Sequence, residues 1–356
     1  MKKFCVFCGQ KPSSKHKEHI IPQWLIELTG DPNRLAIFSN IFDIQEMRLV
    51  QKEFAFDQFK FPSCAKCNEE YSDFENKARE VVLRILDDDA LSATDFIILL
   101  DWLDKIRVGL WLAYNYLQKN IAEVDPNYHI DKRIGVSDRA VLIYKLDTYS
   151  PGINFGGVNL PAFQYYPICY NLRINQYSFF NLSTHFLISK HLGFPYPRES
   201  FYTEGSSIRY SMVEGKNRIL YPLIRKHYDK KCTEIYQPIF SLGASLPNLE
   251  ENYNNNHIRS LSYNYAKGIG KILIAKNNKI FEYPSEKSNE WAPNFEWDGY
   301  DFMEMIGKQV LDFQIYLINR GSKYGDISSE KTKLIKEQLS LAKRINRLYT
   351  NLLDED

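Results

Sequence analysis

The spacing of apolar side chains separates helical stretches from extended ones. Apolar residues recur at i, i+3, i+4 and i+7 in "FENKAREVVLRIL" and in "ATDFIILLDWLDKIRVGLWLAYNYLQK", which predicts helices between about residues 73 and 120. Ser92 and Asp95 have the spacing of a capping box, so we expect a helix to begin there. The same spacing returns in "FMEMIGKQVLDFQIYLINR" and "SEKTKLIKEQLSLAKRINRLYTNLL", which predicts helices between about residues 300 and 354.

Short apolar and aromatic runs occupy the middle of the chain, from about residue 126 to 290. Four of them, bounded by glycine, proline and asparagine, predict strands: "RAVLIYKL", "ICYNLRINQYSFFNL", "RILYPLI" and "GKILIAKNNKIFEY". In the last run, "KNNK" indicates a hairpin turn. The fold class is therefore expected to be α+β. We predict an N-terminal domain over residues 1–76, a helical segment over 77–125, and a larger mixed α/β region over 126–356 that ends in helices.

The overall composition is that of an ordinary globular protein. The 356 residues are 44% hydrophobic and 25% charged, and the formal net charge is +1. A polyanionic partner would therefore have to be held by local basic patches rather than by the whole molecule. No apolar run approaches the roughly 18 residues of a membrane span, and the N-terminus lacks the apolar core of a signal peptide. These features predict a cytoplasmic protein that does not bind a membrane.

Four of the six cysteines form two CxxC pairs. In a reducing compartment such pairs are metal ligands more often than disulfides, and two pairs supply four thiolates to one ion. The second pair directly precedes a helical pattern, as in a treble-clef zinc site. We therefore predict a structural Zn²⁺ bound by Cys5, Cys8, Cys64 and Cys67. The isolated Cys169 and Cys232 are expected to be buried apolar residues.

Between the two pairs lies the segment "KEHIIP", which contains Glu18 and His19. Neighbouring side chains of a strand point to opposite faces, so these two can serve one site only if the strand is twisted or ends there. Ile20 and Ile21 would hold the strand against a core, and Pro22 would end it. The histidine is thus either a structural residue of a metal-bound core or one half of an active site.

The joint pattern "CVFCG…KEHIIPQW…CAKCN" resembles the HNH endonucleases, which have a ββα-metal fold with a zinc-stapled treble clef. The resemblance covers roughly residues 1–76, about a fifth of the chain. The commoner family pattern has an aspartate before the histidine, whereas this chain has Glu18, whose carboxylate extends one methylene further.

The resemblance implies specific roles for three residues. His19 would be the general base that takes a proton from water, and Glu18 and Asn68 would bind a catalytic Mg²⁺ or Mn²⁺. The expected reaction is hydrolysis of phosphodiester bonds. DNA is the expected substrate and RNA the alternative, because the same chemistry acts on either backbone. The resemblance also suggests a setting in bacterial phage defence or in a mobile element.

One family feature is absent from its usual position. Active members carry an asparagine several residues before the second CxxC, where this chain has "FAFDQFKFPSC". Asn40 is the replacement candidate if the intervening hairpin is longer than usual. Glu75, seven residues after Asn68 on the predicted helix, would bind the metal, support Asn68 or be a solvated carboxylate. His16 is either an alternative ligand or a solvated loop residue.

Basic residues near the N-terminus are candidates for nucleic-acid binding: Lys11, Lys15 and Lys17. The region over residues 126–356 matches no motif, and we expect it to select the target, regulate the enzyme or bind a protein partner. The alternative to an enzyme is a degenerate HNH zinc module that binds nucleic acid or a protein partner without cleaving it. The missing asparagine would be the sign of that loss.

Overall fold

A large mixed sheet with helices on both faces follows a small N-terminal unit of short strands. The structure is a computed structural model. It describes residues 4–12, 16–43, 48–55, 60–117, 130–147, 151–159, 163, 167–184, 186–192, 195–202, 208–214, 231–239, 271–277, 279–321, 337, 340–341, 343–348 and 351. The mixed α+β class predicted from the sequence is confirmed.

The N-terminal unit contains two separate antiparallel ribbons. The first pairs β1, Lys17–His19, with β4, Lys60–Pro62. The second pairs β2, Leu35–Asp43, with β3, Arg48–Ala55, and lies between them in the sequence. A short helix, α1 over Gln23–Leu28, follows the "KEHIIP" segment and buries its Leu25 and Ile26.

Two long helices follow the N-terminal ribbons. Helix α2, Ala65–Leu86, begins immediately after Cys64, about eight residues earlier than its apolar periodicity indicates. Helix α3 spans Ala93–Leu117, and the predicted capping box is present at its start. The backbone N–H of Ser92 donates to Asp95 at 2.8 Å, and that of Asp95 donates to the Ser92 hydroxyl oxygen at 3.3 Å. Helix α2 runs without interruption through residue 76, where the sequence predicted a domain boundary.

Most of the later strands form one sheet. Ten strands follow α3 within the described residues: β5 Arg139–Leu146, β6 Ile153–Gly156, β7 Cys169–Ile174, β8 Tyr177–Ser183, β9 Pro195–Tyr202, β10 Ile208–Glu214, β11 Thr233–Gln237, β12 Leu273–Lys276, β13 Lys279–Glu282 and β14 Glu296–Trp297. In the described chain, eight of them form a sheet in the order β13, β12, β11, β5, β8, β7, β6, with β14 pairing in parallel to β5. Strands β9 and β10 form a separate ribbon.

Both faces of the large sheet are buried, which explains why its strands are almost continuously apolar. In β5, Val141 and Ile143 belong to the core shared with α2, α3 and the N-terminal unit. The alternating Leu142 and Tyr144 belong to a second core on the opposite face. That second core includes side chains of α4, Leu187–Leu192, and of α5, Gly299–Gly321.

Buried charged residues fix α3 against the sheet. Arg107 of α3 donates to Asp104 at 2.8 Å and to Asn181 of β8 at 3.2 Å. Arg139 of β5 donates to Asp101 at 2.5 Å and to Gln237 of β11 at 2.6 Å. Charges buried in this way are tolerated because each has a hydrogen-bonded partner.

The sequence predicted several of these elements correctly. "RAVLIYKL" is β5. The run "ICYNLRINQYSFFNL" is extended as predicted, but it forms two strands, β7 and β8, joined by a turn in which Asn175 has φ 50°. The hairpin at "KNNK" joins β12 and β13. "RILYPLI" lies outside the described residues, as does most of the last predicted helix. Within the described chain, no helix has both the length and the apolar character needed to cross a membrane.

Candidate functional site

The four predicted cysteine ligands converge on one point. Their Sγ atoms all lie within 4.8 Å of one another, and the Cys8 and Cys64 sulfurs are 3.8 Å apart. A tetrahedral ion with four Zn–S bonds of about 2.3 Å requires sulfurs roughly 3.8 Å apart, far more than the roughly 2 Å of a disulfide. The thiol cluster therefore has the composition and the dimensions to hold a metal ion such as zinc.

Local backbone hydrogen bonds position the two thiols of each pair. In the first pair, the N–H of Gly9 donates to the Cys5 carbonyl at 2.9 Å, and Gly9 has φ 71°, which glycine adopts without strain. In the second pair, Cys64 is the N-cap of α2, and its Sγ accepts the N–H of Cys67. This backbone hydrogen bond lowers the pKa of the Cys64 thiol, which favours the thiolate form that binds metals.

The β1–β4 ribbon connects the "KEHIIP" segment to the second cysteine pair. Its register places Glu18 opposite Phe61 and His19 opposite Lys60. Cross-strand partners share a face of the ribbon, so Glu18 and His19 lie on opposite faces, as expected for neighbours. Because β1 has only three residues and His19 is the last, the histidine lies at the strand end, which is one of the conditions for a shared site.

Glu18 faces the protein interior and pairs with Lys105 of α3. Its Oε1 accepts a hydrogen bond from Lys105 Nζ at 2.6 Å. Lys105 also donates to Oε1 of Glu75, and the indole N–H groups of Trp24 and Trp102 donate to the other oxygen of Glu75 at 3.0 and 3.1 Å. Glu75 thus has three donors from the chain itself and joins α2 to α1 and α3.

The two carboxylates keep the buried amine charged. Burial by itself would lower the pKa of Lys105, but Glu75 and Glu18 outweigh that effect and raise the pKa above its ordinary value. The Lys105 side chain is 1% exposed, and that of Glu18 is 13% exposed. A permanent ammonium therefore lies directly behind the carboxylate that the sequence predicted as a metal ligand.

Asn68 lies in the first turn of α2. Its Oδ1 accepts a hydrogen bond from the Ser63 hydroxyl at 3.3 Å, and the backbone N–H of Ser63 donates to the carbonyl of His16 at 3.1 Å. These bonds connect the segment just before β1 to the start of α2. An amide oxygen has two lone pairs, so the hydrogen bond from Ser63 does not by itself prevent Asn68 from binding a cation. Glu18 and Asn68 thus offer the oxygen ligands that Mg²⁺ and Mn²⁺ prefer.

The remaining predicted site residues are placed as follows. The side chain of His16 is exposed, and so are those of Lys11 and Lys17. Asn40 belongs to β2, but its side chain is not among those described, and Lys15 lies outside the described residues. The role of Asn40 in place of the missing family asparagine stays a prediction.

Two residues near the site were missed by the sequence analysis. Lys60 lies directly across the ribbon from His19, but the three-residue strand β4 is too short to show a period in the sequence. Lys105 occupies a turn of α3 that is otherwise buried on all sides. Charged residues are rarely buried without a partner, so Asp104, Lys105 and Arg107 within one largely apolar helix signal buried ion pairs, but the sequence does not single out Lys105.

Comparisons with protein-family models, with curated proteins and with solved structures give no match for this chain.

Proposed function

We propose that the chain is a metal-dependent endonuclease of the HNH type that hydrolyses phosphodiester bonds in DNA. One observation carries the proposal. The ribbon that bears Glu18 and His19 leads directly into the cysteine pair whose helix bears Asn68, and the four thiols of this unit converge. The same resemblance suggests phage defence or a mobile element as the cellular setting.

In this proposal the thiol cluster holds a structural Zn²⁺. The ion would connect the loop before β1 to the start of α2. Its ligands Cys8 and Cys64 are 56 residues apart in the sequence. Small β ribbons have little core of their own, so a metal cross-link supplies the stability that burial cannot. The zinc would thereby fix the strand with His19 relative to the helix with Asn68.

The catalytic roles follow from the chemistry of the side chains. A bound Mg²⁺ or Mn²⁺ would polarise the scissile phosphate and stabilise the leaving oxygen. Glu18 and Asn68 would hold this ion through their oxygens. His19 would accept the proton of the attacking water, because a neutral imidazole can act as a general base. The exposed Lys11 and Lys17, together with Lys60 across from His19, would contact the phosphate backbone.

The decisive experiment is a plasmid-nicking assay with Mg²⁺ or Mn²⁺. We expect His19→Ala to lower the nicking rate by at least a hundredfold, because general-base catalysis typically contributes 10²–10⁴-fold. The matched control is Gln23→Ala, four residues further along and exposed, whose nicking should equal that of the wild type. Zinc content and circular dichroism must be unchanged in both variants. Nicking by His19→Ala at the wild-type rate would refute the proposal.

A second candidate function is favoured by the Lys105 ammonium. An ammonium that bonds Glu18 can take the place of a divalent cation in neutralising this carboxylate. The chain would then be a zinc module that binds nucleic acid or a protein partner without cleaving. Binding of DNA with no cleavage by the wild type, across Mg²⁺, Mn²⁺ and both single- and double-stranded DNA and RNA, would support this alternative.

A further inference from the structure

Lys105, which contacts Glu18 on the interior side, lies outside the region that resembles the nuclease motif. Lys105 lies on α3, 87 residues after Glu18, and its ammonium contacts both Glu18 and Glu75. The Nζ atom also lies 5.8 Å from the ring centroid of Phe7 and 5.9 Å from that of Tyr71, and these two rings are stacked on each other. Because the ammonium is almost equidistant from the two stacked rings, it lies beside their edges, and the two carboxylates supply its attraction.

Burial excludes a direct role for Lys105 in substrate binding. Its side chain is 1% exposed, and its ammonium contacts the two carboxylates. A phosphate in solution cannot reach it. Any effect of this lysine on a bound nucleic acid or cation must therefore pass through the carboxylates it contacts, Glu18 and Glu75.

The charges of Lys105, Glu18 and Glu75 do not cancel. Two carboxylates and one ammonium leave one net negative charge. Both oxygens of Glu75 accept hydrogen bonds, from three donors in all. In Glu18, the hydrogen bond from Lys105 is accepted by Oε1. The attraction for a further cation is therefore concentrated at Oε2 of Glu18, and the adjacent ammonium weakens that attraction.

We propose that Lys105 is a positioning residue that acts through Glu18: its ammonium competes with a divalent cation for this carboxylate and so sets the cation affinity of the site. The inference rests on the proposed function, because it takes Glu18 as a ligand of the cation. Lys105 holds one oxygen of Glu18 in the core and leaves the other for the ion. The site then binds the ion more weakly than an unpaired carboxylate would.

The test compares two variants that differ only at residue 105, Glu75→Gln and Glu75→Gln/Lys105→Met. Glutamine keeps an oxygen for the two indole N–H groups, and methionine keeps the unbranched stem of lysine. Relative to the wild type, the double variant removes one charge of each sign and keeps one net negative charge, whereas Glu75→Gln alone leaves the ammonium paired with Glu18 and no net charge. The Kd for Mn²⁺ is measured by calorimetry on the zinc-loaded full-length chain. We expect a Kd at least tenfold lower in the double variant than in Glu75→Gln.

A second measurement needs no variant. In the wild-type chain labelled with ¹⁵N-lysine, the buried Lys105 ammonium should give a slowly exchanging Nζ signal. We expect this signal to shift saturably as Mg²⁺ is added. A control in the Glu18→Gln background should show neither the Mg²⁺-dependent shift nor the tenfold difference in Mn²⁺ affinity.

The outcomes separate this inference from the proposed function. Equal Mn²⁺ affinity in the two variants, or an Nζ signal unchanged at saturating Mg²⁺, overturns the role of Lys105 even if the wild type cleaves DNA. A tenfold difference in a protein that never cleaves supports the role of Lys105 and refutes the nuclease. If the wild type and all the variants fail to bind Mn²⁺ or Mg²⁺, both proposals are refuted.

Discussion

At the scale of single residues, Cys64 combines two tasks. Its thiol belongs to the four-sulfur cluster, and the same sulfur caps the first turn of α2 by accepting the N–H of Cys67. The first N–H groups of a helix have no partner within the helix, so a side-chain acceptor at this position stabilises the helix start. The residue that offers a ligand thus also fixes where the helix with Asn68 begins.

The two tasks can be separated by Cys64→Ser. Serine is among the preferred N-cap residues, so the helix start is retained while one thiolate is lost. We expect the zinc content, measured by elemental analysis, to fall from one ion per chain to well below one, and the melting temperature to fall with it. Cys232→Ser, outside the cluster, should keep the full zinc content. Full zinc occupancy in Cys64→Ser would show that the four thiols do not share one ion.

At the scale of elements, α3 connects the N-terminal unit to the large sheet. One side of the helix carries Lys105, which pairs with Glu18, and another carries Arg107, which bonds Asn181 of β8. The helix also approaches the "KEHIIP" segment closely at Gly109. A methyl group added there would lie 2.6 Å from Cγ2 and 2.9 Å from Cδ1 of Ile20.

Gly109→Ala tests this contact. Alanine favours a helix over glycine by about 1 kcal/mol, but the buried Ile20 would have to move to admit the methyl group. Overpacking of this kind costs about 1–3 kcal/mol, so we expect net destabilisation in urea unfolding. Ile20→Ala removes the opposing atoms, and the double variant should lose less stability than the sum of the two single variants. Additive losses would contradict the contact.

At the scale of the whole molecule, the thiol cluster and the sheet share one core. The buried residues of the first core include Cys5 and Phe7 of the N-terminal unit, Trp102 of α3 and Ile143 of β5. Buried residues of the predicted domain over residues 1–76 thus pack in the same core as α3 and β5. Its boundary falls inside α2, whose later residues Val81, Val82 and Ile85 are also buried.

A fragment of residues 1–76 should accordingly fail to fold by itself. It lacks Lys105, so Glu18 and Glu75 lose their buried partner, and its apolar surfaces lose α3. We expect no cooperative thermal transition in circular dichroism at any zinc concentration, whereas the full-length chain should unfold cooperatively. A sharp transition in the zinc-loaded fragment would establish the N-terminal unit as an independent domain.

Features that depend on neighbours in the sequence were predicted by the sequence itself. The capping box at Ser92 and Asp95, the strand "RAVLIYKL", the hairpin at "KNNK" and the two cysteine pairs all arise from local backbone preferences and short spacings. The start of α2 was placed late, because its first turns follow the cysteine pair and have few apolar residues. Local chemistry thus decided the elements and the candidate metal ligands.

Only the tertiary structure determined what surrounds Glu18. The pairing with Lys105 joins residues 87 positions apart, and the cross-strand contact of His19 with Lys60 joins residues separated by a second ribbon. The order of the strands in the large sheet is likewise set by packing between distant segments. Such contacts are chosen by burial and charge pairing in the assembled core, and no short spacing in the sequence encodes them.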